Sequence, residues 1–192
     1  MKKAKFSDKN TVIEILTNSF QTNKSVNYIV RQDEKRLDRI RTLMDYSFEL
    51  CYRFGEVFLS DDNKASALVL YPDRKKTSLQ RVLLDFKVIS KCIGFRNIKK
   101  ALRREALIKD IQPKDEMYYI WFIGVQPEHQ GSGIGTGLLL EILEHSKEIR
   151  RTVYLETSTL KNLPWYKKLA FEVYSELDLG YKLFFLKRTC NF

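Results

Sequence analysis

A glycine-rich loop between an apolar run and an amphipathic segment constrains the fold of this chain more than any other feature. Residues 118–125 are apolar over the length of a typical strand, and apolar residues recur at helical spacing over 134–143. The connection carries Gln130-Gly131-Ser132-Gly133-Ile134-Gly135. Glycines let a ligand approach the main chain closely, and the first amides of a helix have no partner within the helix. We therefore predict that the amides of residues 131–136 bind a phosphate-bearing ligand.

The spacing of these glycines excludes two familiar nucleotide-binding loops. A dinucleotide-binding loop requires GxGxxG, but its last position would fall on Thr136 or Leu138. A Walker-type loop requires Gly-Lys-Ser/Thr, and no lysine follows these glycines. The pattern that remains is Gln-x-x-Gly-x-Gly, formed by Gln130, Gly133 and Gly135.

This pattern resembles the acetyl-CoA motif of the GNAT N-acetyltransferase superfamily, which is written Arg/Gln-x-x-Gly-x-Gly/Ala. The strand and short helix that follow the loop in that family have a counterpart in Leu155-Glu156-Thr157-Ser158 and Asn162-Leu163-Pro164-Trp165-Tyr166. Together with Trp121-Phe122-Ile123-Gly124-Val125, these segments look most like the puromycin N-acetyltransferase-like branch. The resemblance is strong over residues 117–175, architectural over 1–72, and absent from the basic segment between them.

The resemblance implies acetyl-CoA as the cofactor and indicates which residues hold it. The amides of residues 131–136 would bind the pyrophosphate, and Gln130 would orient the loop. The main chain of Ile123 and Val125 would pair with the pantetheine arm, one of their amides would polarise the thioester carbonyl, and Asn162 would fix the arm. The expected cofactor-binding residues are Ile123, Val125, Gln130, Gly131, Ser132, Gly133, Ile134, Gly135, Thr136, Asn162 and Tyr166.

Acetyl transfer requires a neutral amine, a stabilised oxyanion and a leaving thiolate that gains a proton. The resemblance implies that Tyr166 is the general acid, and the alternative is a tyrosine of the core. Many relatives carry a glutamate on the strand before the loop, but residues 118–122 contain no carboxylate. Glu156 is then the candidate general base or a charge that supports the strand junction, and Tyr119 or waters could relay the proton instead. We expect direct transfer without a covalent enzyme intermediate.

The order of predicted elements indicates an α/β (α+β) fold, and the resemblance implies a GNAT fold in a single domain, residues 1–192. Its sheet would be mixed, mostly antiparallel and twisted, with about six to seven strands and a helical insertion between strands 3 and 4. We predict a strand over residues 1–6 and a polar loop over 21–34. The Gly-Phe end of the family's short helix appears as Ala170-Phe171, and we expect this turn to differ because alanine avoids left-handed conformations.

The excess positive charge is confined to the middle of the chain. From Arg74 to Lys109 there are 12 lysines and arginines against two acidic residues, so this segment accounts for the net charge of +10. A solvated helical face is the simplest explanation, and binding of an anionic ligand, nucleic acid or a membrane surface is the functional alternative. We interpret residues 74–112 as a basic helical insertion on the substrate side, with Trp121 and Trp165 as candidate walls of the acceptor pocket.

The expected partners are acetyl-CoA and a small-molecule amine, without a stable nucleic-acid partner, in a monomer or a homodimer. Two alternatives are an acetyl-CoA-binding sensor or scaffold and a transferase that acts on a protein N-terminus or lysine. A third is a nucleic-acid-binding protein, although the cations of the basic segment alternate with aliphatic residues rather than stacking aromatics.

Cysteine usage and the absence of long apolar runs lead us to expect a cytoplasmic protein. Cys51, Cys92 and Cys190 lack CxxC spacing, so we expect free thiols in a reducing compartment and no metal site. No run approaches the roughly 18 apolar residues that cross a bilayer. The N-terminus also has no apolar stretch behind its lysines, as a secretory signal would.

Overall fold

Apolar and alternating segments of the chain pair into a seven-stranded sheet, which the computed structural model describes within residues 1–76 and 79–189. The strands are β1 (Lys2–Lys3), β2 (Gly55–Leu59), β3 (Ala65–Leu70), β4 (Met117–Val125), β5 (Thr152–Thr157), β6 (Glu172–Asp178) and β7 (Lys182–Arg188). Their order is β1-β2-β3-β4-β5-β7-β6, and neighbours are antiparallel except for the parallel pair β4–β5. The predicted mixed, mostly antiparallel sheet is confirmed.

Helices cover both faces of this sheet. They are α1 (Lys9–Phe20), α2 (Lys24–Ile29), α3 (Arg36–Phe54), α4 (Leu79–Val88), α5 (Ile98–Ile111), α6 (Ile134–Glu148) and α7 (Leu163–Lys168). On one side, Leu16 of α1 and Phe48 of α3 share a buried cluster with Tyr119. On the other side, Leu139 of α6 shares a buried cluster with Tyr118. Successive strand residues point to opposite faces, which separates these two tyrosines and defines an α1 face and an α6 face.

The basic segment forms the predicted helical insertion between β3 and β4. Helix α4 packs against α3 and continues into a π-helical stretch, Ile89–Ile93, which Gly94 (φ 76°) separates from α5. Helix α5 lies over β7, where Ile108 joins Phe185 in a third buried cluster. Residues 77 and 78 of the insertion lie outside the described residues. Among the helices of the described ranges, none is long and apolar enough to cross a membrane.

The prediction of a polar loop over residues 21–34 is wrong, because α2 forms within it. The side chain of Asn23 accepts a hydrogen bond from the amide of Val26 (3.0 Å), which caps the helix. Val26 is also buried and anchors the helix to the α1-face cluster. One cap and one buried valine are a weak signal in sequence, since polar residues dominate the rest of the segment.

The first strand is also shorter than the predicted residues 1–6. The carboxylate of Asp8 accepts a hydrogen bond from the amide of Lys5 (2.8 Å), and a 3₁₀ turn follows at Phe6–Asp8. This local bond competes with strand pairing for the main chain. The strand is thus limited to Lys2 and Lys3, after which the amide of Ala4 makes one further bond to the carbonyl of Val57 in β2 (2.8 Å).

The turn after α7 keeps the left-handed geometry that we did not expect from alanine. Ala170 has φ 61°, the amide of Phe171 donates to the carbonyl of Tyr166 (3.0 Å), and the amide of Ala170 donates to Lys167 (3.0 Å). This pair of bonds is the Schellman arrangement, which ordinarily places glycine at this position. The alanine therefore accepts strain of about 1–2 kcal/mol while the turn is preserved.

Candidate active site

The strands β4 and β5 separate partway along their length. They pair only from Met117 with Thr152 to Tyr119 with Tyr154, and beyond these pairs each strand continues with its other neighbour. A wedge-shaped gap therefore opens in the middle of the sheet, and its sides are the edges of two strands. Such edges carry main-chain donors and acceptors that can pair with an extended ligand.

A bulge in β4 shapes one side of this gap. The pairing with β3 shifts between Leu68 and Val69, which leaves Trp121 as an extra residue in β4. The extra residue changes the alternation of side chains, so that Trp121 packs in the α1-face cluster while Ile123 and Val125 pack in the α6-face cluster. The edge that we predicted to hold pantetheine is therefore the part of β4 beyond the bulge.

The glycine loop leads from this edge into α6. Gly131 and Gly133 have φ of 83° and 88°, and a Cβ atom added to either would meet no atom within 4 Å. Gly133 is the N-cap of α6, and the first bond of the helix runs from the amide of Gly137 to Gly133 (2.9 Å). The amides of residues 134–136 thus precede the helical bonding, at a helix start where such amides can bind an anion.

Two side chains fix the start of the loop. The Nε2 atom of Gln130 donates to the carbonyl of Val125 (3.2 Å), and the Oγ atom of Ser19 lies 2.6 Å from the same carbonyl oxygen. A Cβ atom on Gly124 would lie 2.8 Å from the Cβ of Ser19, so glycine lets α1 approach β4 closely here. Gln130 is thus placed to orient the loop, and Ser19 is a contributor that sequence spacing did not reveal.

Tyr166 and Asn162 lie on the α6 face beside the gap. Tyr166 shares a buried cluster with Ile120 and Leu155, the first residues of β4 and β5 beyond their pairing. Burial raises the pKa of the Tyr166 phenol well above its usual value, so the group keeps its proton at neutral pH. Asn162 directly precedes α7, is partly exposed, and does not use its side chain to cap that helix.

The two tryptophans lie on opposite faces and do not wall the same pocket. Trp121 packs on the α1 face, edge to face with Tyr46 (ring centroids 6.2 Å apart). Trp165 packs on the α6 face, where its Nε1 donates to the hydroxyl of Thr136 (3.0 Å). The bond ties α7 to the first turn of α6, which gives Trp165 a place beside the glycine loop rather than beside Trp121.

Glu156 lies on the α1 face of the gap as one member of a hydrogen-bonded set. Its carboxylate accepts a short hydrogen bond from the hydroxyl of Tyr119 and another from Nε2 of Gln112 (2.7 Å). Removal from water raises the pKa of the Glu156 carboxyl, and the two bonds and Arg104 partly oppose this. The pKa of Tyr119 is raised well above its usual value by burial and by the neighbouring carboxylate. The two candidate proton acceptors are therefore a single coupled pair.

Helices α2 and α5 meet over the end of β5 on this same face. The amide of Ser25 donates to the hydroxyl of Ser158 (3.3 Å), just beyond β5. Arg104 of α5 donates to the hydroxyl of Ser25 (2.6 Å) and to that of Tyr181 (3.2 Å), which precedes β7. No local spacing links Gln112, Arg104 or Tyr181 to the site, because these contacts join residues far apart in sequence.

The described cysteines do not offer a nucleophile. Cys51 and Cys92 are free and buried, and Cys190 lies outside the described residues. Burial raises the pKa of the Cys92 thiol to about 12 and that of Cys51 further, so neither is a thiolate at neutral pH. As protonated thiols, Cys51 and Cys92 are poor nucleophiles, which is consistent with an acetyl transfer that forms no acyl-cysteine at these two residues.

The sequence model of the Acetyltransferase (GNAT) family matches residues 51–171. This range covers more than half of the chain and includes the glycine loop, both sides of the gap and α7. The chain belongs to the GNAT acetyltransferase family. It is accordingly an N-acetyltransferase.

Solved structures share the architecture at low sequence identity. The Corynebacterium glutamicum protein named "histone acetyltransferase HPA2 and related acetyltransferase" has a TM-score of 0.72 at 14% identity, over 100% of this chain and 96% of that one. Arylalkylamine N-acetyltransferase 2 from Aedes aegypti has a TM-score of 0.63 at 18% identity, over 99% and 98%. An N-acetyltransferase from Staphylococcus aureus Mu50 has a TM-score of 0.59 at 16% identity, over 97% and 98%. The GNAT fold predicted from sequence is confirmed.

Proposed function

We propose that the chain uses acetyl-CoA and transfers the acetyl group directly to the amine of a small molecule. The carrying observation is the wedge between β4 and β5, which has a phosphate cradle and Tyr166 on one face and the Glu156–Tyr119 pair on the other. A donor and an acceptor that approach from opposite faces meet in such a gap without a covalent enzyme intermediate.

The donor side follows from main-chain groups. Amides of residues 131–136 bind the pyrophosphate, the edge of β4 at Ile123 and Val125 pairs with the pantetheine arm, and Asn162 fixes that arm. The carbonyl of Val125 already accepts from Gln130, so the other main-chain groups of this edge would hold the ligand. Acetyl-CoA supplies an acetyl group activated as a thioester.

The protonated amine loses two protons on becoming an amide, and the thiolate gains one. Glu156 takes the first proton, Tyr166 protonates the thiolate, and the second proton of the amine then restores the Tyr166 phenol. Glu156, whose pKa is raised, accepts a proton from the ammonium form of the acceptor, either directly or through the Tyr119 hydroxyl. Tyr166 stays protonated because its pKa is raised, and its hydroxyl donates a proton to the leaving thiolate. Burial thus keeps Tyr166 in the protonated form that its role needs, whereas Glu156 acts in its ionised form.

We also propose that residues 74–112 form the acceptor side of this single domain. The bonds of Gln112 to Glu156 and of Arg104 to Ser25 support this placement, since both reach into the α1 face of the gap. Membership of the puromycin N-acetyltransferase-like branch and a cytoplasmic location complete the proposal. They are supported by the segments around Trp121 and Trp165 and by the two buried free thiols.

A turnover assay tests the function. Purified protein is mixed with acetyl-CoA and a panel of primary amines, lysine peptides and proteins with free N-termini, and both coenzyme A release and the acetylated product are measured. We expect amine-dependent release and an N-acetylated small molecule. Tight binding of acetyl-CoA without acetylation of any acceptor would instead make the protein a sensor or scaffold, and acetylation confined to peptides or proteins would refute the small-molecule acceptor.

A further inference from the structure

A second cavity lies on the α1-face side of the molecule, between α5, α2 and the turn that joins β6 to β7. It is a cleft of about 450 Å³, and its apolar walls are Tyr28, Leu107 and Leu179. Its polar residues are Lys99, Lys100, Arg103 and Asp178, which makes three cations against one carboxylate. No part of the donor side of the gap contributes to this lining.

The cations of this cleft differ from others in the insertion. Lys87 is paired with Asp45 (2.6 Å) and Lys109 lies 3.7 Å from Glu105, whereas within residues 1–76 and 79–189 no carboxylate lies within 4 Å of the three cleft cations. Lys100 rests instead over the ring of Tyr28, with its Nζ atom 3.8 Å from the centroid. Three like charges gathered without an ion-pair partner favour the arrival of an anion.

The single acidic residue of the cleft is already engaged by the turn. One carboxylate oxygen of Asp178 accepts a hydrogen bond from the amide of Gly180 (2.8 Å), which supports the left-handed Gly180 (φ 84°). Asp178 therefore has a local role in the β6–β7 turn. The cleft keeps an excess of two positive charges.

A chain of contacts connects the cleft to the proposed site of transfer. The ring of Tyr28 meets that of Tyr181 (5.3 Å), the hydroxyl of Tyr181 donates to that of Ser25 (3.3 Å), and the amide of Ser25 donates to Ser158 at the end of β5. Along α5, Lys100 lies twelve residues before Gln112, the partner of Glu156. At 1.5 Å per residue these two positions are about 18 Å apart, and Leu107 is about 8 Å from Gln112.

We infer that this cleft binds an oxyanion group of the acceptor, a carboxylate or a phosphate, at the end of the molecule remote from the reacting amine. The inference rests on the proposed function and specifies its substrate class. The acceptor would span roughly 8–18 Å from amine to oxyanion, with an apolar or aromatic body against Tyr28 and Leu107. Polyamines and other polycations are disfavoured, because they would meet Lys99, Lys100 and Arg103.

Matched acceptors test this directly. Primary amines joined by alkyl chains of increasing length to a carboxylate, a phosphate or a neutral carboxamide are compared for kcat and KM, with α,ω-diamines as the cationic arm. We expect KM for the oxyanion acceptors to be at least about tenfold below that for carboxamides of equal length, as charge-assisted hydrogen bonds allow. The carboxylate and phosphate arms decide which oxyanion is preferred.

The variant Lys100→Gln/Arg103→Gln should abolish this preference by raising KM for oxyanion acceptors about tenfold, with kcat changed less than about twofold. Both side chains are exposed, so the fold should be retained. Lys109→Gln, on the same helix but outside the cleft, is the matched control and should leave the preference intact. Equal KM values for oxyanion and carboxamide acceptors, or a double variant identical to the control, would overturn the inference while leaving acetyl transfer standing.

Calorimetry separates the inference from the proposed function. The N-acetylated forms of the same carboxylates, phosphates and carboxamides are titrated into the wild-type protein and both variants without acetyl-CoA. We expect the oxyanion compounds to bind more tightly than the carboxamides, and their affinity to fall about tenfold in the double variant only. This result would support an oxyanion site in the cleft even if no amine is acetylated. Equal affinities for the oxyanion compounds and the carboxamides would refute the inference, whatever the result of the turnover assay.

Discussion

The α6 face and the α1 face of the gap are built in different ways. On the α6 face, the strand edge, glycine loop, first turn of α6 and Tyr166 all come from residues 123–166, and their main-chain geometry forms the cradle. On the α1 face, Glu156 depends on side chains from β4 and the end of α5, and the covering helices meet through Arg104, Ser25 and Tyr181. The α6 face is thus formed mainly by main-chain groups of residues that are close in sequence. The α1 face is formed by side-chain contacts between residues that are far apart in sequence.

The largest expected effect concerns the α1 face. Replacing Glu156 with Gln should lower kcat/KM for an amine acceptor by about 10³-fold, because the base is lost while the amide keeps the size of the side chain and one oxygen that accepts a hydrogen bond. The wild-type rate should fall as the pH drops through the raised pKa of Glu156, since only the ionised carboxylate accepts a proton. In the variant this acid limb should vanish. Glu176→Gln, on the exposed strand β6, is the control.

Stability against pH gives the Glu156 variant a second measurement. A folded-state pKa above the unfolded value means that the protonated form is favoured by folding, so its contribution to stability is present below pH 4.5 and lost as the pH rises through the folded value. Glu156→Gln should therefore raise the melting temperature relative to wild type at pH 8 and leave it nearly unchanged at pH 4. A stabilisation that is the same at both pH values would show that the carboxyl does not titrate between them.

A smaller loss of activity is expected on the α6 face. Tyr166→Phe should lower kcat by about 10²-fold, because the thiolate would leave without a proton donor, and the KM for acetyl-CoA should change little. Tyr118→Phe removes a hydroxyl from the same buried cluster, where it lies 3.1 Å from His145, and should leave kcat unchanged. Equal kcat values for the two variants would show that Tyr166 packs in the core and is not the proton donor.

The left-handed geometry of the glycine loop could be predicted from the sequence, whereas the side-chain contacts around Glu156 could not, and the structure gives the reason. The spacing of Gln130, Gly133 and Gly135 is readable because a local turn depends on the residues that form it. The bond from Gln112 to Glu156 spans 44 positions, and that from Arg104 to Ser25 spans 79. Nothing near either residue signals its partner, since such contacts are decided by the packing of α5 on the sheet. The sheet and the insertion could be predicted, but the contacts that Gln112 and Arg104 make on the α1 face could not.

The local character of the α6 face can be tested at its glycines. Gly133→Ala and Gly180→Ala each place a Cβ atom at a left-handed position with open space around it, so each should cost about 1 kcal/mol of stability. Only Gly133→Ala should weaken acetyl-CoA binding, by roughly tenfold, because it disturbs the amides at the start of α6. Equal acetyl-CoA affinities in the two variants, measured by calorimetry, would show that the glycine loop does not bind the cofactor.

The smallest expected effect concerns Ala170, which replaces the glycine that the family usually has at the end of α7. Ala170 holds a left-handed turn that glycine would hold without strain, and it does so because the amide of Phe171 bonds to Tyr166 and keeps the end of α7 in place. Ala170→Gly should raise stability by up to about 1 kcal/mol, since the relief of strain exceeds the added freedom of the unfolded chain. The melting temperature should rise by about 2–4 °C, with kcat unchanged. A fall in stability would mean that contacts of the alanine methyl group, rather than the two main-chain bonds, hold this turn and with it Tyr166.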